Sequence, residues 1–147
     1  MAHVRKSIRD NITTTLTGLT TTGSNVFQTR FFPLADVKLP AICIYSKSET
    51  SDYLTVTVPR TVLHQAEFTI EAYVKATSSV DDTLDAIALE ITEALAADVT
   101  RNALAKDTQV LDFSADFNAD GDQPVGVATF TVLVEYVTLE NDLETAT

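Results

Sequence analysis

Two stretches of the chain carry apolar residues at helical spacing. Val4, Ile8, Ile12, Leu16 and Leu19 predict an amphipathic helix over residues 4 to about 19. Its threonines, Thr13, Thr14, Thr15 and Thr17, are β-branched and make it dependent on tertiary packing. Val80, Leu84, Ile87, Ala88, Ile91 and Leu95 predict a second, stronger helix. Ser79 and Asp82 stand at capping-box spacing, and Asp81 and Asp82 suit the positive end of the helix dipole. Those carboxylates therefore have a structural explanation and need no catalytic or metal role.

The remaining periodicity is that of strands. Residues 26–32 are rich in β-branched and aromatic types and predict a first short strand before Pro33. Residues 39–46 are apolar on both alternating positions, as in a strand covered on both sides, with Pro40 at its start. Residues 62–76 alternate cleanly: Ala66, Phe68, Ile70, Ala72 and Val74 share one face, and Gln65, Glu67, Thr69, Glu71, Tyr73 and Lys75 the other. Residues 109–117 set Leu111, Phe113, Ala115 and Phe117 against Asp112, Ser114 and Asp116. A final strand over 125–137 places Ala128, Phe130, Val132, Val134 and Tyr136 on one face. Between these, 46–60 reads as a polar excursion ending in the alternating Leu54, Val56 and Val58: either an arm reaching a neighbour or a hairpin loop. Residues 98–107 predict an irregular link, and the acidic segment 138–147 a frayed end. Helix, strands, helix, strands, joined by hairpins, predicts an α+β fold: a mostly antiparallel sheet of about four to five strands with two helices packed on one face. Residues 1–147 form one domain on this reading, with a flexible excursion at about 47–60.

Charge adds a direction to this plan. The net charge is -11, but residues 1–60 hold seven basic against four acidic side chains, and residues 61–147 three against seventeen. An acidic surface repels nucleic acid, since binding needs clustered Lys and Arg. Opposite-signed regions on one chain suit head-to-tail contacts, which close into rings; the simpler alternative is a solvated acidic face. No apolar run approaches the roughly 20 residues that span a bilayer, and the start of the chain lacks the pattern of a secretory signal, so residence in a cytoplasm is expected. The single cysteine, Cys43, excludes an intramolecular disulfide and reads as a small buried hydrophobe.

Candidate chemistry is sparse. His3 and His64 stand in no catalytic motif, and the chain's four glycines lack the spacing of a phosphate-binding loop. Asp116, Asn118, Asp120 and Asp122 begin like a calcium loop, but the twelfth position, where a bidentate Glu belongs, is Val127. These four side chains remain weak divalent-cation candidates beside the simpler reading of a hairpin turn. No cofactor is expected.

Taken together, the N-terminal helix, the strand pair over 30–45 with its Phe-Pro and Leu-Pro steps, the polar excursion, FTIEAYVKA leading into DDTLDAIALEITEAL, and the closing DGDQPVGVATFTVLVEY resemble the tail terminator proteins of long-tailed bacteriophages, the minor tail proteins of the U type. The resemblance implies a structural virion protein without catalytic residues. It implies a homo-oligomer, a hexameric ring on the last ring of the tail tube, that ends tube growth and offers a surface to the head–tail connector protein. Its place would be the head-proximal end of the tail, after assembly in the host bacterial cytoplasm. A head–tail joining protein of related fold is the alternative. On that footing the interface candidates are Arg5, Lys6 and Arg9 on the basic first helix, Lys47, Glu49, Asp52, Tyr53 and Arg60 on the excursion, and Asp120 and Asp122 at the acidic turn.

Overall fold

In the computed structural model, which describes residues 2–28, 40–75, 80–118 and 125–147, the chain runs α1 (Val4–Leu16), β1 (Val26–Phe27), β2 (Ala41–Tyr53), β3 (Thr61–Lys75), α2 (Val80–Ala96), β4 (Asp107–Asn118) and β5 (Val125–Leu139). The strands form one sheet in the order β1-β2-β3-β5-β4. β1 is parallel to β2, and every other pairing is antiparallel. The α+β architecture expected from the periodicity is the one observed.

Alternation explains which side of the sheet holds the core. Val62, Ala66, Phe68, Ile70, Ala72 and Val74 of β3 lie buried beside Ala128, Phe130, Val132, Val134 and Tyr136 of β5. Val4, Ile8, Ile12 and Leu16 of α1 and Leu84, Ile87, Ile91 and Leu95 of α2 close over this face. Each such large apolar side chain contributes about 1.5–3 kcal/mol by leaving water. The helices pack against each other as well as on the sheet, α1 over β1 and β2 and α2 over β3, β5 and β4.

Several boundaries differ from those expected, each for a local reason. α1 stops at Leu16 where Thr17 turns to extended geometry, φ −79° and ψ 130°, with its hydroxyl on the carbonyl of Thr13 at 2.6 Å, and Gly18 then takes φ +92°. Of the expected first strand, Val26–Phe27 is observed and Gln28 follows outside it; residues 29–32 lie outside the described residues. The polar excursion resolves into the hairpin alternative: residues 46–53 continue β2, paired from Ser46↔Phe68 to Tyr53↔Val62, and a connection over 54–60 leads into β3. A register shift between Ser46 and Ser48 accommodates the polar stretch.

The C-terminal segment is not frayed in the way its composition suggested. Thr138 and Leu139 finish β5, Leu143 accepts a hydrogen bond from the amide of Val4 at 2.8 Å, and the amide of Thr147 reaches the carbonyl of Val137 at 2.8 Å. The tail thereby supplies a partner for an amide at the start of α1, where helix geometry leaves donors without partners. His3 completes this cap, its Nδ1 accepting from the amide of Arg5 at 3.0 Å.

Gly126 holds β5 close to the start of α2. A Cβ there would lie 2.5 Å from Val80 Cγ2 and 3.3 Å from Val74 Cγ2, so the helix rests on β5 only because position 126 has no side chain. Replacing Gly126 with Val is expected to lower stability by about 1–3 kcal/mol through overpacking, read as a reduced midpoint in urea. An unchanged midpoint would show that α2 is not seated on this contact.

Candidate interaction surfaces

At one end of the helix-covered face the core gives way to a polar network centred on Glu49. Arg5 Nη1 donates to its Oε2 at 2.8 Å, and the Tyr136 hydroxyl donates to its Oε1 at 2.6 Å. His64 stacks on Tyr136 with ring centroids 4.5 Å apart. Its Nδ1 lies 3.2 Å from Ser51 Oγ and 3.6 Å from Glu49, and its Nε2 lies 2.9 Å from Thr138 Oγ1. The register explains the convergence: Glu49 faces Ala66, Ser51 faces His64, and His64 faces Tyr136, so all project to the side on which α1 begins. Burial depresses the His64 pKa, with Glu49 acting in the opposite direction. Burial and the hydrogen bond to Glu49 push the Tyr136 hydroxyl above the usual tyrosine range.

The arrangement is not that of a hydrolytic triad. Serine and carboxylate both lie on the Nδ1 side of His64, whereas a nucleophile and its orienting acid must occupy opposite nitrogens. The group on Nε2 is Thr138, which is fully buried and closed to a substrate. A cleft of about 210 Å³ lined by Arg5, Ser46, Lys47, Ser48 and Glu49 opens beside the network, with the Arg5 charge already matched by Glu49. The network fastens α1 to β2 and β5. Cys43 is buried, and its thiol pKa is raised to about 11 by that burial and by Glu71, which leaves it unreactive near neutral pH.

The other interface candidates are distributed as follows. Lys6 pairs with Asp10 at 2.8 Å, one turn along α1, while Arg9 reaches Gln28 at 2.9 Å and Ser46 at 2.7 Å. The three basic side chains of α1 thus have partners in their own chain. Lys47 approaches Glu67 at 4.0 Å, and Asp52 is exposed near the end of β2. Arg60 bonds Glu140 at 2.6 Å and lies 4.7 Å from the centroid of the exposed Tyr53 ring, tying the base of the hairpin to the end of β5. Asp116 is exposed on β4, opposite Val127, and Asn118 ends that strand. Asp120 and Asp122 lie outside the described residues.

Two features passed over in sequence are conspicuous in space. His64, Ser51 and Thr138 join the Glu49 network, although only the inward parity of His64 on its strand could have signalled it. The face of β4 that alternation marks as apolar is largely open: Leu111, Phe113 and Phe117 are exposed, with Phe113 leaning on Phe130 at 5.3 Å between centroids. At the hairpin, Tyr53, Leu54, Val56 and Val58 are exposed too.

A family model described as phage minor tail protein U matches residues 3–136 of the chain. No curated protein is significantly similar to it. Among solved structures, a chain from one titled "Virion of native gene transfer agent (GTA) particle" aligns over 90% of this chain and 92% of its own length, with 15% identity and a TM-score of 0.42. That likeness is too distant to carry anything further.

The buried histidine makes stability depend on pH. Because the native pKa of His64 lies below its ordinary 6.5, the unfolded chain takes up a proton first as pH falls, so stability is held above about pH 6.5 and lost below it. His3, depressed by burial and by Arg5, adds in the same direction. Replacing His64 with Gln should reduce the fall in melting temperature between about pH 7 and pH 5, leaving the contribution of His3. Parallel melting profiles for variant and wild type would refute the role of His64.

Proposed function

The chain belongs to the phage minor tail protein U family, and from that premise we propose that it is a tail terminator. In this reading copies of the chain assemble as a hexameric ring on the last ring of tail-tube protein, end its polymerisation and present a surface to the head–tail connector. The work is structural, done by surfaces that recognise other proteins. The observation that carries it is the extent of the family match, which takes in both helices and all but the end of β5.

Features of the molecule support the reading. A 12-residue strand, β4, forms one edge of the sheet and keeps an apolar face exposed, as an assembling subunit would require. The polar network around Glu49 holds α1 in place, giving the subunit a rigid body to dock with. The charge division between the halves of the chain is less helpful to a steered contact than it looked. Arg5, Lys6 and Arg9 are already partnered within the chain, which leaves little unmatched positive charge on α1.

The test is to add the purified protein to tail tubes and follow it by electron microscopy. Six-membered rings on free tube ends, together with failure of capped tubes to take up more tube protein, are expected. Binding to the head portal and not to tubes would assign the chain to head–tail joining instead. A protein that stays monomeric and binds neither would overturn the structural reading.

A further inference from the structure

We propose that the uncharged tip of the β2–β3 hairpin of one copy packs against the exposed apolar side of β4 in the next copy. This rests on the ring reading above and specifies its subunit contact. The tip shows Tyr53 at 62%, Leu54 at 55%, Val56 at 94% and Val58 at 75% exposure; β4 shows Leu111 at 50%, Phe113 at 46% and Phe117 at 60%. These are concentrations of large apolar surface at two separate places, and contiguous apolar patches of this kind mark binding sites.

A copy cannot satisfy both patches by itself. Phe117 is in register with Gly126, which is in register with Val74, whereas the tip lies beyond Thr61 at the other end of β3. At about 3.3 Å per residue, β3 places Phe113, in register with Phe130 and Ile70, roughly 30 Å from Thr61 along the sheet and Phe117 roughly 40 Å from it, with β5 between them sideways. Two different patches that complement each other across copies make a head-to-tail contact, the kind that closes into rings.

The chemistry of the two surfaces matches. Residues 54–59, Leu-Thr-Val-Thr-Val-Pro, carry no charge. On β4, Phe113, Ala115 and Phe117 share the side of Phe130 and Ala128, while Asp112 and Asp116 pair with Thr131 and Val127 on the opposite side. The contact therefore buries no carboxylate, which would cost several kcal/mol without a partner. With aromatic side chains of about 150–250 Å² and aliphatic ones somewhat smaller, the exposed fractions amount to at most roughly 800 Å² per contact. Thr55, Thr57 and the outer backbone of β4 add to this, toward the about 1,000 Å² that a specific interface clears. The tip is already shaped for docking: the amide of Leu54 bonds the carbonyl of Thr61 at 2.8 Å, and the amide of Thr61 bonds Thr55 Oγ1 at 2.9 Å.

Net charge supplies a signature. Copies that each carry -11 repel one another, and salt screens that repulsion without weakening an apolar contact, so association should strengthen as ionic strength rises. A contact led by ion pairs would weaken instead.

The experiment combines size measurement with cross-linking. Val56→Asp changes a side chain that is 94% exposed, so folding should be unchanged while association weakens at least tenfold. The native Cys43 is buried at 1% exposure and stays silent under mild oxidation, so Val56→Cys and Phe117→Cys proteins, mixed, should form a disulfide-linked pair that neither forms alone. Association that rises with salt, falls with Val56→Asp and cross-links in the mixture is the expected result. Rings that persist in Val56→Asp without cross-linking in the mixture would overturn this contact and leave the ring reading intact. Val56→Asp rings of normal stability that no longer cap tubes would give the tip to the tube protein and likewise overturn it. A wild-type chain that is monomeric at every salt concentration and on tube ends would overturn both.

Discussion

The pairing of β3 with β5 is the constraint on which the rest of the molecule depends. Every residue of the 15-residue β3 faces a residue of β5, from Thr61↔Leu139 to Lys75↔Val125. This long register puts two alternating apolar rows side by side, and a slip of one residue would turn either row to the uncovered face. β2 and β4 then add on the two sides, so the face on which α1 and α2 can bury their stripes is already decided. Gly126 belongs to the same arrangement, since the missing side chain admits Val80 against the ladder.

The covered face is not uniform along that ladder. It is apolar where α1 and α2 both lie over it and polar where α1 begins, where polar side chains meet one another: Arg5 and Tyr136 on Glu49, Ser51 and Thr138 on His64. A buried network of this kind is specific because a shift of any element leaves a charge or hydroxyl unmatched. A second polar device ends α2. Arg101, fully buried, donates to the carbonyl of Leu95 at 2.6 Å, an acceptor that the end of α2 leaves over, and to that of Asp98 in the turn beyond, while its Nε and Nη1 have no partner among the described residues. Arg101, Asn102 and Ala103 all take positive φ to make that reversal. The first device joins side chains distant in sequence at the start of α1, and the second closes the end of α2 with a residue only six positions beyond the Leu95 acceptor.

Legibility in the sequence followed the same division. The two helices and the long strands over 62–74 and 125–137 were readable because burial alternates with the side-chain period. Residues 46–53 were not, since Ser46, Ser48, Glu49 and Ser51 look like a loop until Arg5, His64 and Tyr136 are brought to them. The tail misled for a similar reason: its acidic composition conceals Leu143 at the amide of Val4 and Glu140 at Arg60. The opposite error applies to β4. Alternation states that its two faces differ, but whether Phe113 and Phe117 are covered depends on their place at the sheet's edge, which no local pattern records.

That edge position also decides how the protein can expose apolar surface and remain selective. An open edge strand with aromatic side chains invites indiscriminate pairing, and β4 carries two of the features that limit it. The register shift between Val110 and Asp112 interrupts a flat ladder, and Asp112 and Asp116 line the side turned away from the core. The acidic excess of the second part of the chain adds general repulsion between copies. Association is then favourable only where apolar surface meets apolar surface with the carboxylates left in water. On the proposed contact, negative charge would act as a filter on geometry, excluding contacts that would extend without limit and leaving the short-range apolar fit to choose the one that remains.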